Sequence, residues 1–431
     1  MINFNRFKHK PESVLIISLP ILMIFSRFFL EISLLFISFS FLYILIKNKN
    51  LSKIFNFFTY VFFIFYFILL ISYLLSDFKS ETFTIFFYFR FCLYVLALSF
   101  FFNNDDYLVN FFFKTIVLVV IVLLIDAMIQ FVFGKNILNY KNEIPYRVTS
   151  FFNDEQILGS FVSKIFIFLL LAKVFFKRSL IKTHFLINFS IICSPIIIFL
   201  SGERASILIF SIMCIYLSFF LYRENRFKIF YRLSFILIFV LSVLLLNSKT
   251  YYDRYVSHTL SGFFDPNSAQ NQDQLPKDIK TKYKIFFLSA EHQSYMMTSL
   301  NIFKEKKFTG SGPKSYRYAC KEENMSVSLT SCNSHPHNYY LQILSETGFL
   351  GTVFLVFIYL MIVYRSIINF FRVFFKKNYD LFEIITLAFY FSQFWPINQT
   401  GNLFNNFNSI MLFFPMGIYL YLKDRRLKKL I

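Results

Sequence analysis

SHPHNYYLQILSETGFLGTVFLVFIYLMIVY, residues 334–364, joins two kinds of chain. The first half is polar and holds His335 and His337, two residues apart, followed by Asn338. The second half, from Gly348 onward, is an unbroken apolar run close to the ~20 residues that cross a bilayer core. A polar loop that carries candidate chemistry and leads straight into a membrane span sets the reading of the whole protein.

Working outward, the same apolar signature recurs along the 431 residues. Hydrophobic residues make up 57% and charged residues 16%, where soluble domains average about 45–50% and 25%. Twelve spans are predicted, at about 12–28, 30–46, 54–76, 84–102, 109–133, 157–176, 184–200, 205–222, 233–247, 348–364, 382–397 and 408–422. The fold class is therefore an all-α polytopic membrane protein with about 12 transmembrane helices and one large external loop between spans nine and ten. Three segments follow: 1–247 with spans one to nine, 248–347 as the external loop with surface helices, and 348–431 with spans ten to twelve and a basic tail.

The net charge of +20 would suit a nucleic-acid partner, but its distribution excludes one. With the N terminus in the cytoplasm, the inside segments hold 22 Lys and Arg. The short outside loops hold only Arg27, Lys79, Lys135, Lys141, Arg147 and Arg204. That is the cytoplasmic enrichment of basic residues that orients membrane proteins. Asp105 and Asp106, in a loop predicted to be cytoplasmic, run against the trend. The first span has a basic start but no small-residue cleavage site, and reads as an uncleaved helix.

Two external segments are long enough for chemistry, 134–156 and about 248–334. Asp265–Lys280 within the second is polar and aperiodic and reads as loop. Tyr295, Met296, Ser299, Leu300 and Phe303 then recur at helical spacing, and Gly310 is expected to end that amphipathic helix. In the opening stretch His337, Leu341 and Leu344 share one face by spacing, with Pro336 in a first turn. His337 is thus expected at a helix N-terminus, where neutral imidazole is favoured and a proton can be accepted.

Arg204, in FLSGERASILIF, sits at the outer rim between spans seven and eight. It is either a snorkelling side chain paired with Glu203 or a guanidinium placed to bind phosphate oxygens. Arg147 lies just before span six. Asp126 lies within span five and is either part of a site or ion-paired with Arg147 or Arg204. His292, Lys314 and Arg317 flank the amphipathic helix and form a basic rim on Arg204's side of the membrane. Cys320 and Cys332, in the external loop, are a disulfide or two free thiols. Zinc would need three or four ligands, and no CxxC or HExxH spacing accompanies His335 and His337. No metal and no cofactor are expected. A transporter would place its broken polar helices near mid-membrane, whereas these residues gather at one outer face.

These motifs together resemble the O-antigen ligase and polymerase superfamily. SGERAS (201–206) is similar to its SGxRxA signature, and HPHNYYLQILSETGFLG to its HNxYLQxLxExGxxG signature. RVTSFFNDEQILG (147–159), GSGPKSY (310–316) and IDAMIQFVFG (125–134) are similar to further elements, in the same order, over about residues 110–365. The resemblance implies a GT-C-like enzyme of the bacterial inner membrane. Such an enzyme moves a glycan, with inversion, from undecaprenyl diphosphate to a sugar hydroxyl of lipid A–core or another glycan acceptor at the periplasmic face. It implies no metal, and only membrane lipids as further partners. It matches His337 to the family's essential histidine and Arg204 to an essential arginine. Arg147, His292, Arg317, Lys314 and Asn338 are then substrate-binding candidates. His292 falls where the family carries an arginine, a role that Arg254, Lys284 or Arg317 would otherwise assume. Polymerase and protein O-oligosaccharyltransferase activities share these motifs and are the alternatives to the ligase.

Overall fold

The computed structural model describes residues 10–142, 144, 147–176, 181–222, 248–264, 288–328 and 330–430. The predicted ninth span, the 265–280 loop and Lys284 lie outside them. Helices are the regular elements of the described residues, which contain no strand; their one isolated β-bridge joins Lys135 and Lys141.

The principal helices are α1 (Lys10–Phe25), α2 (Arg27–Lys47), α3 (Phe57–Leu74), α4 (Arg90–Asn104), α5 (Asp106–Phe133), α6 (Leu158–Phe175), α7 (Ile181–Leu200) and α8 (Arg204–Leu221). Further along come α9 (Ala290–Glu305), α10 (Tyr339–Phe374), α11 (Leu381–Gln393) and α12 (Asn406–Leu430). Among the described residues, eight helices are long and apolar enough to cross a membrane. They are α2, α3, the run Lys79–Asn104 that contains α4, α5, α6, α7, α8 and α10. Three more of the expected spans are helices: α1 has 16 residues, α11 has 13, and α12 continues into the basic tail.

Helix α6 forms the middle of the bundle, with nearly every side chain buried against α5, α7, α8 and α11. Helices α2 and α12 pack on α4, and α3 and α11 pack on α10. Phe28, Phe39, Phe57, Phe67 and Phe133 point outward, as lipid-facing side chains of a bundle do. The ends obey ordinary capping chemistry. Asn56 accepts from the Thr59 amide at the start of α3, and Gly134 closes α5 with φ 71°.

The acidic pair that ran against the charge trend has a structural task. Asp105 accepts from the amides of Tyr107 and Leu108 as the N-cap of α5. Asp106 pairs with Arg425 at 3.1 Å and accepts from Tyr421. Both acids therefore bind the helix ends at that face, at positions where carboxylates have little influence on orientation.

Two helix boundaries differ from expectation. Helix α9 ends at Glu305 rather than at Gly310. Gly310 instead turns back at φ 65° against α10, where a β-carbon would lie 2.4 Å from the Glu346 carbonyl carbon. Helix α10 begins at Tyr339, so Pro336 and His337 precede it. It then kinks at Gly348, which has φ 62° and ψ −152°. A β-carbon at Gly348 would lie 2.6 Å from Phe308, so the glycines of the two motifs allow one close crossing of backbones.

Candidate active site

The start of α10 carries the candidate base. Asn338 caps the helix: its side-chain oxygen accepts from the amides of Tyr340 (2.9 Å) and Leu341 (3.1 Å). Its amide group donates to the carbonyls of Pro396 (2.8 Å) and Asn398 (3.0 Å). Asn338 thus ties the helix to the segment between α11 and α12, and all of its polar atoms are engaged. The Thr400 amide donates to the His337 carbonyl at 2.8 Å, and His335 Nε2 lies 3.2 Å from the Thr400 carbonyl. These ties hold His337 at φ 54°, a left-handed conformation that costs a non-glycine residue of the order of 1 kcal/mol or more.

The same contacts separate the two histidines. His335 is buried, and its Nδ1 lies 2.8 Å from Ser334 Oγ. His337 is half-buried, and its Nε2 accepts from the Asn333 amide at 3.3 Å. Their ring centroids lie 4.2 Å apart. His292, on the first turn of α9, completes the cluster with its ring 6.2 Å from that of His337. Tyr295 packs between them, 5.7 Å from His292 and 5.2 Å from His337, and donates to Glu291. Gln399 hydrogen-bonds His292 Nε2, and His292 Nδ1 lies 2.7 Å from Ser289 Oγ.

Burial keeps all three rings neutral. It pushes His292 and His335 down to about 3, with the His337 charge adding to the effect on both. Burial also lowers His337, and the Glu291 carboxylate partly offsets this. Neutral imidazole is the proton-accepting form, and His337 and His292 are the two partly exposed rings of the cluster. Among the described residues no group of three or more His, Cys, Asp or Glu is arranged to hold a metal ion.

The arginines come from the opposite end of the sequence. Val148 donates its amide to the Leu200 carbonyl, which lays the Arg147 segment beside the start of α8. Glu203 caps α6, accepting from the amides of Gly159 (2.6 Å) and Ser160 (3.0 Å) and from Ser206 Oγ (2.7 Å). Burial raises the Glu203 carboxyl, and the Arg147 charge is among the influences that oppose the shift. Arg204 donates to the His258 carbonyl at 2.7 Å and lies close enough for its charge to act on His292. Arg254 donates to the Gly202 carbonyl at 3.0 Å. His292 and His337 thus share one ring cluster, and Arg204 lies within electrostatic reach of His292 while held on the 258–259 segment.

Lys314 and Arg317 come to the cluster from another side. Lys314 is partly buried with its Nζ 3.0 Å from Thr84, and Arg317 is exposed and acts electrostatically on His335. Their loop hangs on Glu346, which is fully buried and accepts from the amides of Lys314 (3.0 Å) and Tyr316 (3.1 Å) and from Gln342 (3.1 Å). Cys320 and Cys332 are joined as a disulfide with Cα atoms 5.3 Å apart.

Three features escaped the sequence reading. The buried stripe of α10 is polar, formed by Asn338, Gln342 and Glu346, while Leu341 and Leu344 are only partly buried. Four-residue spacing of three polar residues was the available signal. The segment NQTGN (398–402) supplies Gln399, Thr400 and Asn402, and its polarity at an external turn was its mark. Asp126 takes neutral partners, the Asn136 amide (3.2 Å), the Ile137 amide (3.0 Å) and Ser150 Oγ, instead of an arginine.

No curated protein matches the chain. The family model described as O-antigen ligase matches residues 189–356, from within α7 through SGERAS, α9 and the His337 helix to just past the Gly348 kink. Arg147 and the 398–402 segment lie outside that match. Over residues 189–356 this multi-pass membrane protein matches the O-antigen ligase and polymerase superfamily.

Proposed function

We propose that the chain is a metal-independent glycosyltransferase of the ligase type. It moves a glycan from undecaprenyl diphosphate to a sugar hydroxyl of lipid A–core at the periplasmic face of the inner membrane, on a GT-C-like frame. The observation that carries this reading is His337: partly buried, its neutral form favoured, fixed ahead of α10 by Thr400 and Asn338, with its ring beside that of His292.

A sugar hydroxyl is a weak nucleophile at neutral pH. His337 Nε2 accepts its proton as the oxygen attacks the anomeric carbon, taking the place that the Asn333 amide occupies. The bond from that carbon to the diphosphate oxygen breaks, and its electron pair leaves with undecaprenyl diphosphate. Direct displacement inverts the anomeric centre. Arg204, supported by Arg147 and by hydrogen-bonding His292, stabilises the growing charge, an effect worth roughly 3 kcal/mol per donor in comparable sites. His292, where a cation is expected, acts here as a neutral donor or acceptor oriented by Gln399 and Ser289. Asn338 positions the base instead of touching substrate.

Deletion of the gene tests the reading by electrophoresis of the cell's lipopolysaccharide. Bare core with accumulated lipid-linked polymer is the expected pattern. Core bearing a single repeat assigns a polymerase. Unchanged lipopolysaccharide with lost protein glycosylation assigns a protein O-oligosaccharyltransferase, and no change in either excludes all three.

A further inference from the structure

Beside the histidine cluster lies a cavity of about 290 Å³, bounded by Arg27, Glu31, Lys314, Arg317, Asn402 and Asn406. We infer that this cavity binds a phosphorylated sugar of the acceptor, while the diphosphate of the donor is held on the Arg204 side. The inference rests on the transferase reading given above.

The first argument is charge. Among the described residues, the ion pairs near this cavity join Arg27 to Glu155 and Arg90 to Glu31. Arg317 and Lys314 take part in no ion pair among those residues. Lys314 is partly buried, and burial, followed by the Arg90 charge, lowers its proton affinity. Glu346 and Glu31 act on Lys314 as opposing charges without forming an ion pair with it, so an anionic ligand would still stabilise this partly buried cation. Arg317 at the mouth offers the planar fork that suits phosphate oxygens, and Lys314 offers a point charge.

The second argument is the remaining lining. Asn402 and Asn406, with Glu31, supply amide and carboxylate groups of the kind that hydrogen-bond sugar hydroxyls. The volume stands at the small end of the ~300–1,000 Å³ typical of ligand cavities, the size of a single substituted sugar.

The third argument is continuity with the base. Asn402 accepts from Gln342 at 2.9 Å, one turn beyond the Asn338 cap. It lies two residues past Thr400, which binds both His335 and His337. Arg317 acts on His335, while Arg204 acts on His292.

The test is calorimetric binding to the full chain in phosphatidylcholine nanodiscs, with N-acetylglucosamine 1-phosphate as probe. N-acetylglucosamine and inorganic phosphate serve as comparisons. The sugar phosphate should bind more tightly than either. Arg317→Gln combined with Lys314→Gln should weaken it at least ~10-fold, as should Arg27→Gln from the other wall. His337→Ala should bind like wild type, so a chain that binds but does not transfer separates this site from the catalytic reading. Equal binding of the neutral sugar or of bare phosphate, or undiminished binding by both variants, would overturn the inference. Loss of binding when phosphatidylglycerol is added to the discs would also overturn it, by assigning the cavity to a lipid headgroup.

Discussion

His337 is the base of the proposed transfer, and its surroundings set its backbone and its proton affinity. Its left-handed backbone is held by the Thr400 amide beside the Asn338 cap, and burial lowers the proton affinity of its ring. Because its proton affinity is lowered, the acid limb of kcat/KM should lie below the ~6.5 of a free imidazole; a limb at or above that pH in a reconstituted transfer assay contradicts the assignment. His292 and His335 carry a separate consequence for stability. Both are pushed down to about 3 in the fold and return to ~6.5 when unfolded. Between those values the unfolded chain binds more protons, so stability is complete above about 6.5 and is lost as pH falls toward 3. Thermal unfolding followed across that range should show the decline, and His335→Gln should flatten it. At this scale the histidines and Arg204 were legible because their types are rare in an apolar chain. Gln399 and Thr400 were not, because nothing local to an external turn tells which distant side chain it will meet.

At the scale of elements, the meeting of α10 with the Gly310–Tyr316 loop carries the site. Glu346 accepts from two loop amides and from Gln342, all in a buried setting. Glu346→Ala orphans these donors at about 1–3 kcal/mol each. A large fall in thermal stability is expected, smaller for Glu346→Gln, which keeps one acceptor oxygen; equal midpoints for wild type and both variants would refute the role. Gly310→Ala forces a β-carbon onto the Glu346 backbone at positive φ. It should cost on the order of 3 kcal/mol or more, read in the same assay. The spans were legible because a bilayer demands long apolar helices and the sequence has them. The faces of α10 were not, because apolar spacing pointed to Leu341 and Leu344 while the buried stripe is Asn338, Gln342 and Glu346. Hydrogen-bond partners from the 398–402 segment reversed that preference, and they lie about sixty residues away in sequence. The end of α9 was misplaced for a related reason: Gly310 serves a backbone crossing, not a helix cap.

Across the whole molecule, the charge distribution and the Cys320–Cys332 disulfide both accord with the proposed orientation. The Cys320–Cys332 bond staples the segment behind α9 and belongs to an oxidising compartment. Removing it with Cys320→Ser and Cys332→Ser should cost about 2–4 kcal/mol. After mild reduction of intact spheroplasts, a membrane-impermeant maleimide should label these two cysteines from outside; labelling only after lysis contradicts the topology. In the proposed topology the histidine cluster, Arg204 and the Arg317 cavity belong to the outer side, drawn from α2, α8, α9, α10 and the turn before α12. The central claim is that His337 is the base of a lipid-linked glycan transfer. Its most direct test is transfer by purified protein from undecaprenyl-diphosphate-linked glycan to lipid A–core, comparing wild type with His337→Ala and His335→Ala at equal folded concentration. The account predicts a loss of roughly 10²–10⁴-fold for His337→Ala, with substantial activity kept by His335→Ala; full activity of His337→Ala, or equal loss from both variants, would contradict it.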